Sequence, residues 1–459
     1  MRPPFAITTA DLARDKQDRL PRLGHSMASY LIALFLLLFS HGVAATGGLN
    51  GLPVLNGIIP SVSSFPGMKT RIGQFVHPGL WHTHDDLERM RLGVEGGEEP
   101  YASAFRNFSA DTYSAANYII QGPKQVICRG SCSNYTSFSN DARAAWQNSI
   151  MWYITRRQDH WNRATTILDA WGSNLTDIIG TDTSLLVALD GDLFVNAAEI
   201  MRWEGGWVEQ GAKASGTSGF ANQLYWLFAR QSIIIGQANY GLASIKALLS
   251  FAVYLDDVAM YNYALNAYQN DLCAGVLGNW HTETGQGAET GRDQGHAQTG
   301  LGWAAEAARV VQSQGYDVYS LHDNLILKGA EYTAKYNLGY DVPYDPKFYR
   351  CEAILVNGPW DAPSNISRGA ASGPHVWDIF YYQYVVKRGI DAPYITEAKS
   401  AHDAAGGEQT GNGKLSTDHP MWGDLIWSYP SKGDFFNDTG RTIWGGGKIG
   451  ANGTGNHNS

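Results

Sequence analysis

Residues 285–308, GQGAETGRDQGHAQTGLGWAAEAA, gather Glu289, Arg292, Asp293 and His296 in a chain of which only 17% is charged. Their spacing is i, i+3, i+4 and i+7, so on a continuous helix all would share one face. The next members of that stripe, Gly300, Trp303 and Ala307, are small or apolar, and the face therefore enters the interior. Burying such charges unpaired is costly, so they must satisfy one another or serve a ligand. An alternative reading places a cap at Thr290, with Asp293 three residues on, and leaves Glu289 in the preceding loop. In either case His296 stands near a helix N-terminus, where anions are favoured. The plainest account of the cluster is a satisfied ion-pair network.

Other residues able to do chemistry are more dispersed. WDIFYYQYVVKRG sets Tyr381, Tyr382 and Tyr384 on a helix after a Gly- and Pro-bearing loop, where tyrosines ordinarily pack. Asn239 in GQANYGLAS reads first as a helix break or cap. HPGLWHTHDDLERMR offers His77, His82 and His84, but His-x-His without a third ligand is a poor metal site. Neither a metal nor a nucleotide cofactor is expected.

These groups must be positioned by helices. DARAAWQNSIMWYITRR repeats apolar residues with helical period, and Asp141 can cap it. HWNRATTILDAW, DLFVNAAEIMRW, NQLYWLFARQSIIIGQAN, YGLASIKALLSFAVYLDD, MYNYALNAYQNDL, GWAAEAARVVQSQG and HDNLILKGAEYTAKYN continue the series, separated by Gly- and Pro-bearing loops. Strand-like alternation is scarce and no fixed-length repeat is evident, so the expectation is one all-α domain, residues 46–440, built as an incomplete toroid or barrel of helical hairpins. The Gly/Asn-rich tail, residues 441–459, is expected to be disordered.

Composition bounds the rest. Of 459 residues, 44% are hydrophobic and 12% aromatic, enough for a large core. A net charge of −9 argues against a nucleic-acid partner, while an acidic polysaccharide needs only a locally positive cleft. After Met27, YLIALFLLLFSHGVAA has the pattern of a secretory signal peptide with cleavage near Ala45, which makes residues 1–45 an N-terminal extension and leader. No other apolar run is long enough to span a membrane, and a soluble monomer is expected. Sequons at Asn107, Asn134, Asn174, Asn365, Asn437 and Asn452 suit a secreted glycoprotein. Four cysteines in an oxidising compartment favour two disulfides with three possible connectivities. CRGSC reads as a local Cys128–Cys132 staple around a Gly turn, which leaves Cys273 with Cys351.

Taken in order, HPGLWHTHDDLERMR, DARAAWQNSIMWYIT, DGDLFVNAAEIMRW, GQANYGLAS, ETGRDQGHAQTGLG, VWDIFYYQYVVKRG and DHPMWGDLIW resemble the alginate-lyase-type polysaccharide lyases with an α/α-toroid fold. The resemblance runs from about His77 to Trp427 and implies β-elimination of a 4-linked uronide such as alginate or a glucuronan. That reaction neutralises the sugar carboxylate, removes the C5 proton and protonates the leaving O4. By the same resemblance, Asn239 and a protonated Glu289 hydrogen-bond the carboxylate, His296 neutralises or acts as base, and Tyr381 is base, acid or both. Arg292 binds the carboxylate or locks Asp293, and Arg350, His375 and Tyr384 complete the substrate contacts. The pattern departs at SGPHVWD, where related chains often carry an Arg and this one has His375, with Arg350 and Arg368 farther upstream. Helical toroids also host glycoside hydrolases, in which Glu289 and Asp293 would be the paired carboxylates. A third alternative is a carbohydrate-binding protein without activity.

Overall fold

The computed structural model describes residues 75–208, 220–233, 235–348, 351, 357–370, 376–407, 418–419 and 422–429. The expected leader, the tail from residue 441, Arg350, His375, Asn437 and Asn452 lie outside the described residues.

Local side chains cap several helices, although Asp141, read as a cap, lies inside its helix, Thr136–Thr155. Helix α1 (His84–Glu95) opens on a reciprocal cap, in which Thr83 Oγ1 accepts from the Asp86 amide and the Asp86 carboxylate accepts from that of Thr83. A short α2 (Tyr101–Ala110) follows. The hairpin α3 (Thr136–Thr155) and α4 (Gln158–Asn174) turns at Arg156, which is left-handed. Next come α5 (Asp192–Trp203), entered through a π-helical turn at Val187–Gly191, and then α6 (Ala238–Tyr254). Asp257 caps α7 (Val258–Asn270) by accepting from the Met260 amide at 2.9 Å. Helix α8 (Gln294–Ser313) precedes α9 (Leu321–Asn337), whose first turn carries left-handed His322, Asp323 and Asn324. Helix α10 (Trp377–Phe380) runs into a π-helical turn at Tyr381–Val386, and α11 (Pro393–Ala404) follows. Strand among the described residues is confined to β1 (Val126–Cys128) and β2 (Asp177–Ile179), a short parallel pair with Ile127 opposite Ile178.

Side-chain pairings show that the inner helices α6 and α8 run in one direction. Gly300, early in α8, faces Asn239 and Leu242, early in α6. Farther along both helices Glu306 pairs with Lys246 at 3.0 Å, and Lys246 reaches Asp192 at the start of α5 at 2.9 Å. Helix α3 joins the same layer through Ser139 Oγ, which donates to Asp190 at 2.6 Å, and α10 lies beside α8 with Val376 against Gly302. Helix α4 packs on α3, α7 on α6, α9 on α8 and α11 on α9. Close approach is possible because α8 presents Ala304, Ala305, Ala307 and Ala308, all fully buried. The N-termini of α6 and α8 consequently lie at one end, the end that attracts negative charge.

The core is aromatic. Trp81 meets Trp146 and Trp427 edge to face with centroids 6.0 Å apart, and Phe138 packs against Trp171 and Phe194. Each such side chain contributes roughly 1.5–3 kcal/mol by leaving water. Polar chains thread this core. Lys246 is held charged by Asp192 and Glu306 against the opposing effect of burial, and His419 Nδ1 meets Glu306 at 3.0 Å. The indole of Trp303 donates to the Asp418 carbonyl at 2.7 Å, so both Asp418 and His419 are tied to α8. Both expected disulfides, Cys128–Cys132 and Cys273–Cys351, are present. No helix among the described residues is long and apolar enough to cross a membrane.

Candidate active site

The cluster at residues 289–296 is not a single helical stripe. Helix α8 starts at Gln294 with Asp293 as its cap, so Glu289 and Arg292 belong to the preceding turns. The cap stands at Asp293 rather than Thr290 because its Oδ1 accepts from the His296 amide at 2.8 Å.

Glu289 performs the same service for a different helix. Its carboxylate accepts from the Asn239 amide at 3.1 Å and from Asn239 Nδ2 at 2.7 and 2.8 Å, at the first turn of α6. Helix α6 has no cap from its own side chains, and a residue fifty positions away supplies one. Two neighbouring inner helices are thus each capped by a carboxylate of the same short loop.

Arg292 and His296 bridge the two caps. Arg292 Nη1 donates to Glu289 Oε1 at 2.8 Å, and its Nη2 lies 3.1 Å from His296 Nε2. His296 Nδ1 meets Asp293 Oδ2 at 2.6 Å. These partners fix one tautomer: Nδ1–H donates to the carboxylate, and the Nε2 lone pair points at the guanidinium. Burial would raise the Asp293 pKa, but the His296 ring and amide together with Arg292 hold it below the usual carboxylate range. Exposure increases along the network, with Glu289 and Asn239 buried at 5% and 1% and the His296 side chain 40% exposed. A buried anchor therefore holds an accessible imidazole and guanidinium.

The turn is packed from outside by residues that sequence reasoning missed. A side chain at Gly291 would collide with Trp360 and the Tyr344 hydroxyl, which itself donates to the Trp360 carbonyl at 3.0 Å. The Gln294 amide donates to the Ile366 carbonyl at 2.9 Å, and Ser367 lies against Gly295. Nothing local in the sequence signals these contacts, since the 357–370 loop lies far along the chain. Arg143 of α3 was missed too; it is buried over the Tyr113 ring at 4.8 Å.

Other expected site residues make different contacts. Tyr381, half-buried, packs edge to face on Tyr382, and its ring centre lies 5.8 Å from Lys399 Nζ, which pairs with Asp378, Asp403 and Asp424. Tyr384 is fully buried and donates to the Tyr319 carbonyl at 2.7 Å. It has no surface to offer a substrate and is a core residue, which corrects the expectation. Glu289 is corrected in role, because its neighbours are donors and its carboxylate accepts from them rather than donating to a ligand. Arg368 donates to the Tyr336 carbonyl at 2.7 Å and stacks on that ring. His77 bridges Glu199 at 2.7 Å and Asp256 at 3.2 Å, His82 is buried, and His84 meets Glu204 at 3.0 Å.

This arrangement, an inner layer of parallel helices wrapped by an outer one, is an α/α toroid. No family model matches the chain, and no curated protein does. Among solved structures, a histidine-to-alanine variant of alginate lyase A1-III from Sphingomonas species A1, complexed with a tetrasaccharide, aligns with a TM-score of 0.52 at 15% identity, over 76% of this chain and 95% of the other. The apo form of that variant gives 0.52 at 14% identity with the same coverage. An alginate lyase from Bacteroides ovatus aligns at 0.45 and 11% identity, over 77% of this chain and 100% of the other. The chain shares the fold of alginate lyase A1-III.

Proposed function

We propose that the protein is a secreted polysaccharide lyase that cleaves a 4-linked uronic-acid polymer, alginate or a glucuronan, by β-elimination. One observation carries the reading: the unbroken hydrogen-bonded chain Asn239–Glu289–Arg292–His296–Asp293 at the N-termini of two inner helices. The shared fold and the sequence resemblance favour this chemistry. Exposed sequons at Asn107, Asn134, Asn174 and Asn365 suit secretion.

In the proposed reaction Arg292 holds the uronate carboxylate as the cation, while Asn239, almost fully buried with both Nδ2 bonds made to Glu289, braces that arrangement. Both are anchored by Glu289, so little reorganisation is needed as negative charge grows in the enolate-like transition state. When Arg292 engages the substrate, His296 Nε2 is released as the base, and Asp293 steadies the imidazolium that forms. The C5–H bond breaks, C4=C5 forms, and the C4–O4 bond breaks. O4 leaves with a proton returned by the imidazolium.

Hydrolysis fits less well. It requires one carboxyl to act as acid and another as base or nucleophile. Both oxygens of Glu289 accept from Asn239 and Arg292, and those of Asp293 accept from His296. The deciding assay incubates the full protein with alginate, glucuronan and glycosaminoglycans and follows ultraviolet absorbance of unsaturated uronide ends. His296→Gln should abolish that signal while leaving the melting temperature unchanged. Products with saturated ends only, or no products from any of these polymers, would remove the proposal.

A further inference from the structure

The 357–370 loop lies over the turn that carries Arg292 and brings a sequon to it. The Ser364 amide donates to the Thr290 carbonyl at 3.0 Å, and the Gln294 amide donates to the Ile366 carbonyl at 2.9 Å. Asn365 is therefore bracketed by two residues that are each one hydrogen bond from the ends of the turn. Ser367, on its far side, lies against Gly295, the neighbour of His296. Asn365, Ile366 and Ser367 together read N-x-S, the acceptor pattern for an N-linked glycan.

The Asn365 side chain is held by its oxygen and open at its nitrogen. Oδ1 accepts from the Tyr336 hydroxyl at 2.8 Å and from Arg368 Nη1 at 3.3 Å, whereas Nδ2 has no hydrogen-bond partner among the described residues, and the residue is exposed. Glycosylation replaces one hydrogen on that nitrogen and keeps the oxygen as an acceptor, so the attachment atom is free while the rest of the amide stays fixed. The sequons at Asn134 and Asn174 differ, because their Nδ2 groups donate to the Val126 carbonyl at 3.1 Å and the Ala170 carbonyl at 2.7 Å. Beside Asn365, Ile366 leaves 66% of its surface exposed, a large apolar side chain within reach of the first sugars of a glycan.

We propose that Asn365 carries an N-glycan that covers Ile366 and narrows the mouth of the Arg292–His296 site. The stem of that glycan is fixed through Oδ1 to Tyr336 and Arg368, and it stands next to the turn whose imidazole is 40% exposed. A bulky, hydrated chain at this point hinders a long polysaccharide laid across the site more than a short oligosaccharide entering it. The glycan sets a length preference and takes no part in the chemistry. Its presence rests on the secreted reading given above and its kinetic effect on the lyase reading, and the experiment separates the two.

The test uses the full chain secreted from a eukaryotic host. Enzymatic deglycosylation in heavy-oxygen water, followed by peptide mapping, should label position 365 as aspartate. Hydroxyl-radical footprinting should find Ile366 several-fold less reactive in the glycosylated protein than in Ser367→Gly, which removes the sequon and suits the left-handed φ of 58° at that position. Asn365→Asp keeps an oxygen facing Tyr336 and Arg368, and as a second glycan-free variant it should match. Both variants should lower KM for long uronic polymers several-fold and leave kcat, and KM for a tetrasaccharide, unchanged. Label at other sequons with position 365 bare would overturn this proposal and leave secretion standing, whereas no label anywhere would remove both. An occupied Asn365 with Ile366 as reactive as in the variants, or with the same KM for long polymers in all three proteins, would overturn the covering role. If no polymer yields unsaturated ends the lyase reading falls, and peptide mapping and footprinting still decide this one.

Discussion

Glu289→Gln probes the anchor of the candidate site, because it keeps shape and removes one charge. The carboxylate accepts from the Asn239 amide, from Asn239 Nδ2 and from Arg292 Nη1. A glutamine keeps one acceptor oxygen and turns an NH2 group toward these donors. Losing the charge-assisted bond to Arg292 costs about 1.5–3 kcal/mol, and an unsatisfied buried donor about 1–3 more. Part of this falls on stability, where loss of the α6 cap costs about 1 kcal/mol. Most falls on the geometry of Asn239 and Arg292, and a loss of about 3 kcal/mol in transition-state binding lowers kcat/KM roughly 100-fold. The assay pairs kcat/KM, from unsaturated-end absorbance, with thermal melting of the same preparation. Glu289→Asp should not rescue activity, since the shorter side chain cannot span α6 and Arg292 together. Wild-type kcat/KM in the glutamine variant, with an unaltered melt, would refute the anchoring role.

Three further outcomes are expected. His77 sits between Glu199 and Asp256; burial lowers its pKa, but the two carboxylates overcome that and raise it to about 9. A raised pKa stabilises the fold fully below the unfolded value near 6.5, and that stability is lost as pH climbs through about 9. Urea unfolding should therefore show a decline of about 3 kcal/mol between those limits, absent in His77→Gln. Asp293→Ala removes both the α8 cap and the partner of His296 Nδ1, so a stability loss of about 1 kcal/mol should accompany a much larger fall in kcat than in KM, with Asp293→Asn restoring the stability but not the rate. Lys246→Met leaves Asp192 and Glu306 facing each other in the core without their shared cation, and denaturant midpoints should report a loss of about 3–5 kcal/mol.

How far each element could be read in the sequence depends on the range of the interactions that decide it. Helices α3, α7 and α8 could be read from their apolar period, but not their starts: Asp141, read as a cap, lies inside α3, and α8 is capped by Asp293 rather than Thr290. Glu289 could not be assigned that way. Its place outside α8 is fixed by the bare N-terminus of α6, and no short window contains both. Tyr384 could not be placed for a different reason. Residues 381–386 form a π-helical turn, which takes up more residues per turn than an α-helix and shifts the phase of the residues after it. Tyr384 is thereby directed at Tyr319 in the core. A helical wheel drawn at the regular α-helical period misplaces it at that point.

The π turn bears on catalysis as well. If it exists to aim Tyr381 at a substrate, removing one residue from it should abolish elimination and leave the Lys399 ion pairs loosened. If it exists to seat Tyr384 beneath Tyr319, the deletion should lower stability first, and Tyr381→Phe alone should retain kcat/KM within about twofold of wild type, a change of about 0.4 kcal/mol in barrier height. The position of Tyr381 between Tyr382 and Lys399 favours the second outcome. In the proposed reaction that outcome would leave proton transfer to the imidazole of His296, which Asp293 orients through Nδ1.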